Sequence, residues 1–237
     1  MRHRFYSYIS YLAFAVLYAQ TAATVIVILP FAYLKVQKII KPLVRFWAKS
    51  VFWILGRKLR ISGSENFSKN KRYIILANHA SLFDIMAIMS FYPDVAWFGH
   101  ERLMKVPVFR QILKMTNYIP LKQTTFKNTK QMLDEIILKS EKNTIAIFPE
   151  GTRTLTGNMN NFYRGFVYIL RASDADVLPV TLKGFYSLKP KNRAYINFSA
   201  KLGVVIHKPI KSIAMKAKTD QEIIDEIKAI IESKIID

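Results

Sequence analysis

From Phe5 to Leu34 the chain runs for thirty residues without a charged side chain, and no other feature limits its folding so severely. About 20 apolar residues wound as a helix cover the hydrocarbon of a bilayer. The run predicts a helix that crosses the membrane or enters one leaflet. Arg2 and Arg4 before it look like the basic start of a secretory signal peptide. The run is longer than the h-region of about 7–15 residues that such a peptide carries. Eight cations follow it by Arg60, namely Lys35, Lys38, Lys41, Arg45, Lys49, Arg57, Lys58 and Arg60, against the two that precede it. The positive-inside rule therefore predicts that the bulk of the chain stays on the cytoplasmic side, at the inner or plasma membrane if the source is bacterial.

The next stretch, "KVQKIIKPLVRFWAKSVFWILG", places Lys35, Lys38, Lys41, Arg45 and Lys49 at spacings of 3, 3, 4 and 4. On a helix they form a stripe roughly 120° wide. Phe46, Trp47, Val51, Phe52 and Trp53 cover much of the remaining surface. Pro42 is expected to break or bend whatever helix spans it. A basic stripe beside aromatic bulk describes a helix lying in the interface of an anionic bilayer. A helix packed on the protein's own core, with solvated lysines, is the alternative. Residues 1–60 read as a unit of N-terminal membrane-anchoring helices, and residues 61–237 as a second domain. The chain's net charge of +20, half of it in that first quarter, calls for an anionic partner.

Beyond residue 60 strand and helix signals alternate. "YIILAN" (Tyr73–Asn78), "TIAIFP" (Thr144–Pro149), "VLPVTL" (Val177–Leu182), "YINFSA" (Tyr195–Ala200) and "GVVIHKP" (Gly203–Pro209) are short apolar or β-branched runs bounded by turn residues. Ser81–Phe91, Asn128–Lys139 and Tyr163–Arg171 have helical patterning, and a capping box from Thr219 to Glu222 opens an isoleucine-rich final helix. The alternation predicts an α/β fold, a sheet covered by helices.

Two short motifs carry chemistry. In "NHASLFD", His79 and Asp84 are five apart, which on one continuous helix turns them about 140° away from each other. A strand precedes them, however, and Ser81 with Asp84 has the capping-box pattern. With Ser81 at the N-cap, Asp84 falls in the first helical turn and its carboxylate reaches back to one imidazole nitrogen. The other nitrogen is left to take a proton, the base-and-orienter arrangement of acyl-transfer triads, with the nucleophilic hydroxyl supplied by the substrate. Alone the spacing carries little weight, since Asp84 as a plain helix cap and His79 as a loop residue fit it equally. In the second motif, "IFPEGTRT", Gly151 lets backbone N–H groups approach a ligand. Arg153 offers a planar fork for phosphate oxygens, and Glu150 could hold that arginine or accept from a hydroxyl. A polar turn with an internal ion pair is the alternative. Both motifs close a predicted strand, where sheet-based folds build ligand sites.

Together these residues resemble the glycerolipid acyltransferase family, marked by N-H-x4-D and, some 65–75 residues on, F-P-E-G-T-R. Here His79 and Glu150 are 71 residues apart. The resemblance extends from about Asn66 to Ile210 and takes in "LMKVPVF" (Leu103–Phe109) and "VLPVTLKG" (Val177–Gly184). It implies a mixed β-sheet flanked by helices and makes residues 61–237 an acyltransferase catalytic domain. It further implies that His79, oriented by Asp84, is the general base that moves an acyl chain from acyl-coenzyme A or acyl carrier protein. The acceptor would be the sn-2 hydroxyl of 1-acylglycerol 3-phosphate (lysophosphatidate), and the product phosphatidic acid. Glu150, Gly151, Thr152 and Arg153 would bind the acceptor, with Lys105 and Lys122 as phosphate or donor contacts. No cofactor is implied beyond the co-substrate. Membrane lipids are the expected partners, and nucleic acid is not. His100 stands where many members have lysine, Lys122 near a usual arginine and Arg110 at a usual glycine, so another lysolipid or glycerol 3-phosphate stays open as acceptor. A stretch with no acid between Glu101 and Asp134, carrying Lys105, Arg110, Lys114, Lys122, Lys127 and Lys130, suits an anionic substrate or carrier.

Other classes fit less well. Zero cysteines exclude a disulfide framework and a thiol nucleophile. No G-x-S-x-G marks a hydrolase serine, and His3, His79, His100 and His207 show no metal-ligand spacing. A basic, membrane-tethered binding protein would explain the charge but would leave both motifs without a task.

Overall fold

The computed structural model describes residues 2–34, 36–68, 70–100, 104–105, 110, 113, 118–121 and 126–235. The uncharged N-terminal run winds into one helix, α1 (Arg2–Tyr33). A second, α2 (Gln37–Ile54), is continuous through Pro42, so that proline does not break the helix. The two helices pack along each other. Gln20 donates to Ser50 Oγ at 2.7 Å and the Trp47 indole to Thr21 Oγ1 at 3.0 Å. Ala13, Leu17, Thr21, Val25 and Ile28 form the buried stripe of α1, at the 3–4 residue spacing of one helix face. On the opposite face Tyr8, Leu12, Ile26, Val27 and Leu34 are exposed.

After α2 come β1 (Leu59–Ser62), β2 (Tyr73–Ala77), α3 (Asp84–Phe91), β3 (Val95–His100), β4 (Ile119–Leu121), α4 (Phe126–Ser140), β5 (Thr144–Ile147), α5 (Gly165–Ala172), β6 (Asp176–Lys183), α6 (Phe185–Leu188), β7 (Leu202–Ile206), α7 (Ser212–Lys216) and α8 (Asp220–Glu232). The strands form one sheet in the order β1-β7-β6-β2-β5-β3-β4. Every neighbouring pair is parallel except β6–β7. The mixed sheet flanked by helices is thus as expected. Alternate residues of its strands point into two cores. Tyr73, Ile75, Ala77, Trp97 and Ala146 meet α1, α2 and α3 on one face. Ile74, Leu76, Ala96, Ile145 and Ile147 meet α4, α5 and α8 on the other. A sheet covered on both sides explains why β2, "YIILA", is apolar throughout rather than alternating.

Some expectations need correction or refinement. The basic stripe of α2 is only partly a free face: Arg45 donates to the carbonyls of Ser90 and Phe91 at 3.0 Å each, and Lys41 pairs with Asp94 at 2.6 Å, while Lys38 and Lys49 are exposed. A guanidinium at the C-terminus of α3 satisfies orphan carbonyls at the negative end of the helix. Trp47, Val51 and Phe52 are buried, leaving Phe46 and Trp53 exposed as an edge-to-face pair at 5.8 Å. The expected strand at Tyr195–Ala200 is a run of turns. Asn197 donates its N–H to Leu188 O, and its side chain accepts from Ser199 N–H, which ends any strand there. Finally, β1, β3 and β4 were not foreseen from their short, unpatterned sequences.

Candidate active site

Parallel pairing sets the site. β2 and β5 are neighbours with Leu76 opposite Ile147, and β2 and β6 with Ala77 opposite Val180. Asn78–His79 and Phe148–Glu150 therefore leave the sheet side by side at its C-terminal rim. Asn78 extends the ladder with its side chain, donating to Leu182 O at 3.0 Å and accepting from Leu182 N at 2.8 Å. That amide fixes the exit of β2 from which His79 projects.

The strand-to-helix corner brings His79 and Asp84 together: Nδ1 lies 2.8 Å from Asp84 Oδ2. The same oxygen accepts from the N–H groups of Ala80 at 2.7 Å and Ser81 at 2.8 Å. Asp84 is fully buried, so three donors hold its carboxylate in one orientation. A carboxylate at this position can only accept, which assigns the proton to Nδ1 and leaves the lone pair on Nε2. Nε2 has no hydrogen-bond partner among the described residues. The imidazole, 18% exposed, stacks on Phe148 with centroids 4.0 Å apart, and Phe148 stacks in turn on Trp97 at 5.6 Å. Only half of the expected capping box forms. Asp84 accepts from Ser81 N–H, but the Ser81 hydroxyl donates to Lys189 O at 2.7 Å and accepts from Phe83 N–H at 3.4 Å rather than from Asp84 N–H.

The second motif wraps the first. Glu150, 1% exposed, accepts the His79 N–H on Oε1 at 2.6 Å and the Asn160 N–H on Oε2 at 2.8 Å. The His79 carbonyl accepts from Thr154 N–H at 2.9 Å. His79's main chain is thus held from both sides by the loop after β5. Burial pushes the Glu150 carboxyl above its usual range, partly offset by those two backbone donors. No hydrogen bond or ion pair joins it to the Arg153 guanidinium among the described residues. Gly151 turns the loop at φ 65°, where a Cβ would meet the Tyr163 ring at 2.9 Å. Thr152 is exposed and Arg153 partly so, and Arg153 has no hydrogen bond or ion pair among the described residues.

Sequence reasoning gave Asn78 no role of its own and missed Lys189 altogether. Lys189 is buried, and its ammonium donates to the carbonyls of Pro190 and Arg193. Burial, then the cations Arg153 and Arg193, push its pKa down. Lys189, Arg153 and Arg193 thus lie close enough to act on one another electrostatically, a cluster of cations whose field favours an anion. Immediately below the Ser81 corner, Leu82, Phe83 and Met86 line an apolar cavity of about 190 Å³ with Phe14, Trp47 and Val51. Lys105 is exposed. Lys114, Lys122 and the side chains of His100, Lys127 and Lys130 lie outside the described residues. Among the described residues no cluster of His, Cys, Asp or Glu is arranged to hold a metal.

A family model described as Acyltransferase matches residues 58–183. The chain is 31% identical over 167 residues to a 1-acyl-sn-glycerol-3-phosphate acyltransferase of Cocos nucifera, covering 69% of this chain and 53% of that one. A protein of the same description from Borreliella burgdorferi is 28% identical over 167 residues, covering 70% and 66%. The chain thus spans about half to two thirds of the length of these curated relatives. Its fold matches the crystal structure of the 1-acyl-sn-glycerophosphate acyltransferase PlsC from Thermotoga maritima with a TM-score of 0.86 at 24% identity, over 99% of this chain and 97% of that one.

Proposed function

Because the chain belongs to the acyltransferase family, we propose that it transfers an acyl chain from a thioester, of coenzyme A or of acyl carrier protein, to the sn-2 hydroxyl of 1-acylglycerol 3-phosphate. The observation that carries this reading is the 2.8 Å contact between His79 Nδ1 and Asp84 Oδ2, which leaves Nε2 without a hydrogen-bond partner among the described residues. Nε2 takes the proton of the acceptor hydroxyl as its oxygen attacks the thioester carbon. The C–S bond then breaks, and the imidazolium returns the proton to the leaving sulfur. Asp84 holds the tautomer and offsets the charge that forms on the ring. Glu150 acts through the backbone: it positions His79 rather than touching substrate. Arg153 receives the acceptor's phosphate in the bidentate geometry its fork allows. The apolar cavity below Ser81 has the lining for hydrocarbon. The curated relatives' shared description, 1-acyl-sn-glycerol-3-phosphate acyltransferase, supports this acceptor.

The same reading places the protein on a membrane through α1 and α2. α1 is long and apolar enough to span one. It also lies against the body of the protein from the Tyr6–Tyr195 ring pair and the Ser10 contact to Ile196 N–H through to buried Ile28. A helix bound along its length, with an apolar outer face, immerses that face while the site stays at the interface. Arg153→Ala tests the acceptor assignment. It raises KM for lysophosphatidate at least tenfold, by loss of about 1.5–3 kcal/mol of charged hydrogen bonding, and leaves KM for the thioester unchanged. An equal KM for lysophosphatidate in both proteins would remove Arg153 from the phosphate site.

A further inference from the structure

A groove on the outer side of α2 is unused by this chemistry. It holds about 620 Å³ between the C-terminal half of α2 and β1, with Phe52, Leu59 and Ile61 as its apolar wall and Lys49, Arg57 and Lys58 as its cations. No carboxylate lines it. None of these three cations has an ion pair or side-chain hydrogen bond among the described residues, and Arg57 Nε is shielded from solvent without an acceptor. A shielded donor left unpaired weighs against the fold, and an anion entering the groove supplies the missing acceptor.

The groove's place in the fold selects the anion. Trp53 lines it and pairs with Phe46 on the exposed face of α2, so it opens beside the apolar surface formed by the two N-terminal helices. Aromatic rings with neighbouring lysines are the side chains that settle at headgroup depth. The apolar cavity next to the His79 corner touches α2 through Trp47 and Val51, whereas the groove touches it through Lys49, Phe52 and Trp53. Lys49 follows Trp47, and Trp53 follows Val51, by two residues, about 200° around the helix. The groove and the cleft thus sit on opposite sides of α2. We propose that this groove binds the headgroup phosphate of an anionic membrane phospholipid that is not a substrate, seating the enzyme on anionic bilayers. This rests on the membrane placement proposed above.

The test is flotation of the full-length protein with vesicles of phosphatidylcholine, alone or with phosphatidylglycerol, beside thiol-release kinetics in neutral detergent micelles. Lys49→Gln with Lys58→Gln is expected to lose about tenfold or more of the affinity that phosphatidylglycerol adds, at about 1 kcal/mol per lysine near an anionic surface. Its micellar kinetics stay those of the parent. Lys142→Gln with Lys208→Gln removes the same charge elsewhere and keeps the added affinity. Equal losses in the two double variants would reduce the effect to diffuse charge and overturn the site. So would unchanged flotation of the groove variant. A raised KM for acyl-coenzyme A with unchanged flotation would assign the groove to the donor's phosphates instead. If the parent protein floats with neither vesicle, the membrane placement itself fails. If it floats and the variants do not differ, only the groove does.

Discussion

At the residue scale, the two motifs do different work from what their residue types advertise. His79 and Asp84 pair as their spacing allowed, because the corner between β2 and α3 turns a five-residue separation into a hydrogen bond. Glu150 was open to reading as a partner of Arg153 or of a hydroxyl. Its two backbone partners, His79 N–H and Asn160 N–H, lie 71 residues before it and ten after, a closure no local pattern reveals. Asn78 and Lys189 were illegible for the same reason, since each is tied to carbonyls or N–H groups whose positions the fold decides. Glu150→Gln puts an amide NH2 against one backbone N–H and costs about 1–3 kcal/mol, read as a lower midpoint of thermal unfolding at neutral pH. The sign of the pH effect follows from the raised carboxyl. Its contribution to stability is fully present below the ordinary glutamate value and is lost as pH rises through the elevated one. Unfolding midpoints measured across that range slope downward with pH in the parent, and this component of the slope is missing in Glu150→Gln.

At the element scale, what the sequence showed best were the segments whose patterning is local: β2, β5, β6, β7, the helix of Phe126–Ser140, and the capped α8. The capping box there is complete, with Thr219 N–H on Glu222 Oε2 at 2.7 Å and Glu222 N–H on Thr219 Oγ1 at 3.3 Å. β1, at four residues, and β4, at three, are too short to show a period and exist because a neighbouring strand offers them a ladder. What docks α8 was also hidden. The Thr181 hydroxyl donates to Ile231 O at 2.7 Å and accepts from His207 Nε2 at 2.8 Å. Burial, then the nearby Lys234, pushes the His207 pKa down. A depressed base adds stability above its unfolded value and loses it as pH falls through the folded one. Acidification from neutral pH therefore loosens α8. Hydrogen exchange of its amides will accelerate on acidification in the parent, after correction for intrinsic rates. A His207→Gln variant, which has nothing to protonate there, will show less of that acceleration.

At the scale of the whole molecule, the sheet places both motifs on one rim while α1 and α2 cover the neighbouring face and carry an apolar surface outward. The thirty-residue uncharged run is thus both a wall of the core and an outer surface, a double use that hydropathy alone could not separate from a free transmembrane span. Replacing Leu12 and Ile26, 66% and 69% exposed, by serine removes about 1.5–3 kcal/mol of immersion each. Vesicle binding falls at least tenfold, while unfolding in detergent-free buffer is unchanged or improved. Substitution of buried Leu17 and Val25 instead lowers stability. The central claim, that His79 is the base of an acyl transfer, is tested most directly by release of thiol from acyl-coenzyme A in the presence of lysophosphatidate, with His79→Ala beside the parent protein in membranes. The account predicts acceptor-dependent release in the parent and a loss of about 10²–10⁴ in the variant, with the unfolding midpoint preserved. Equal release from the two proteins would contradict it.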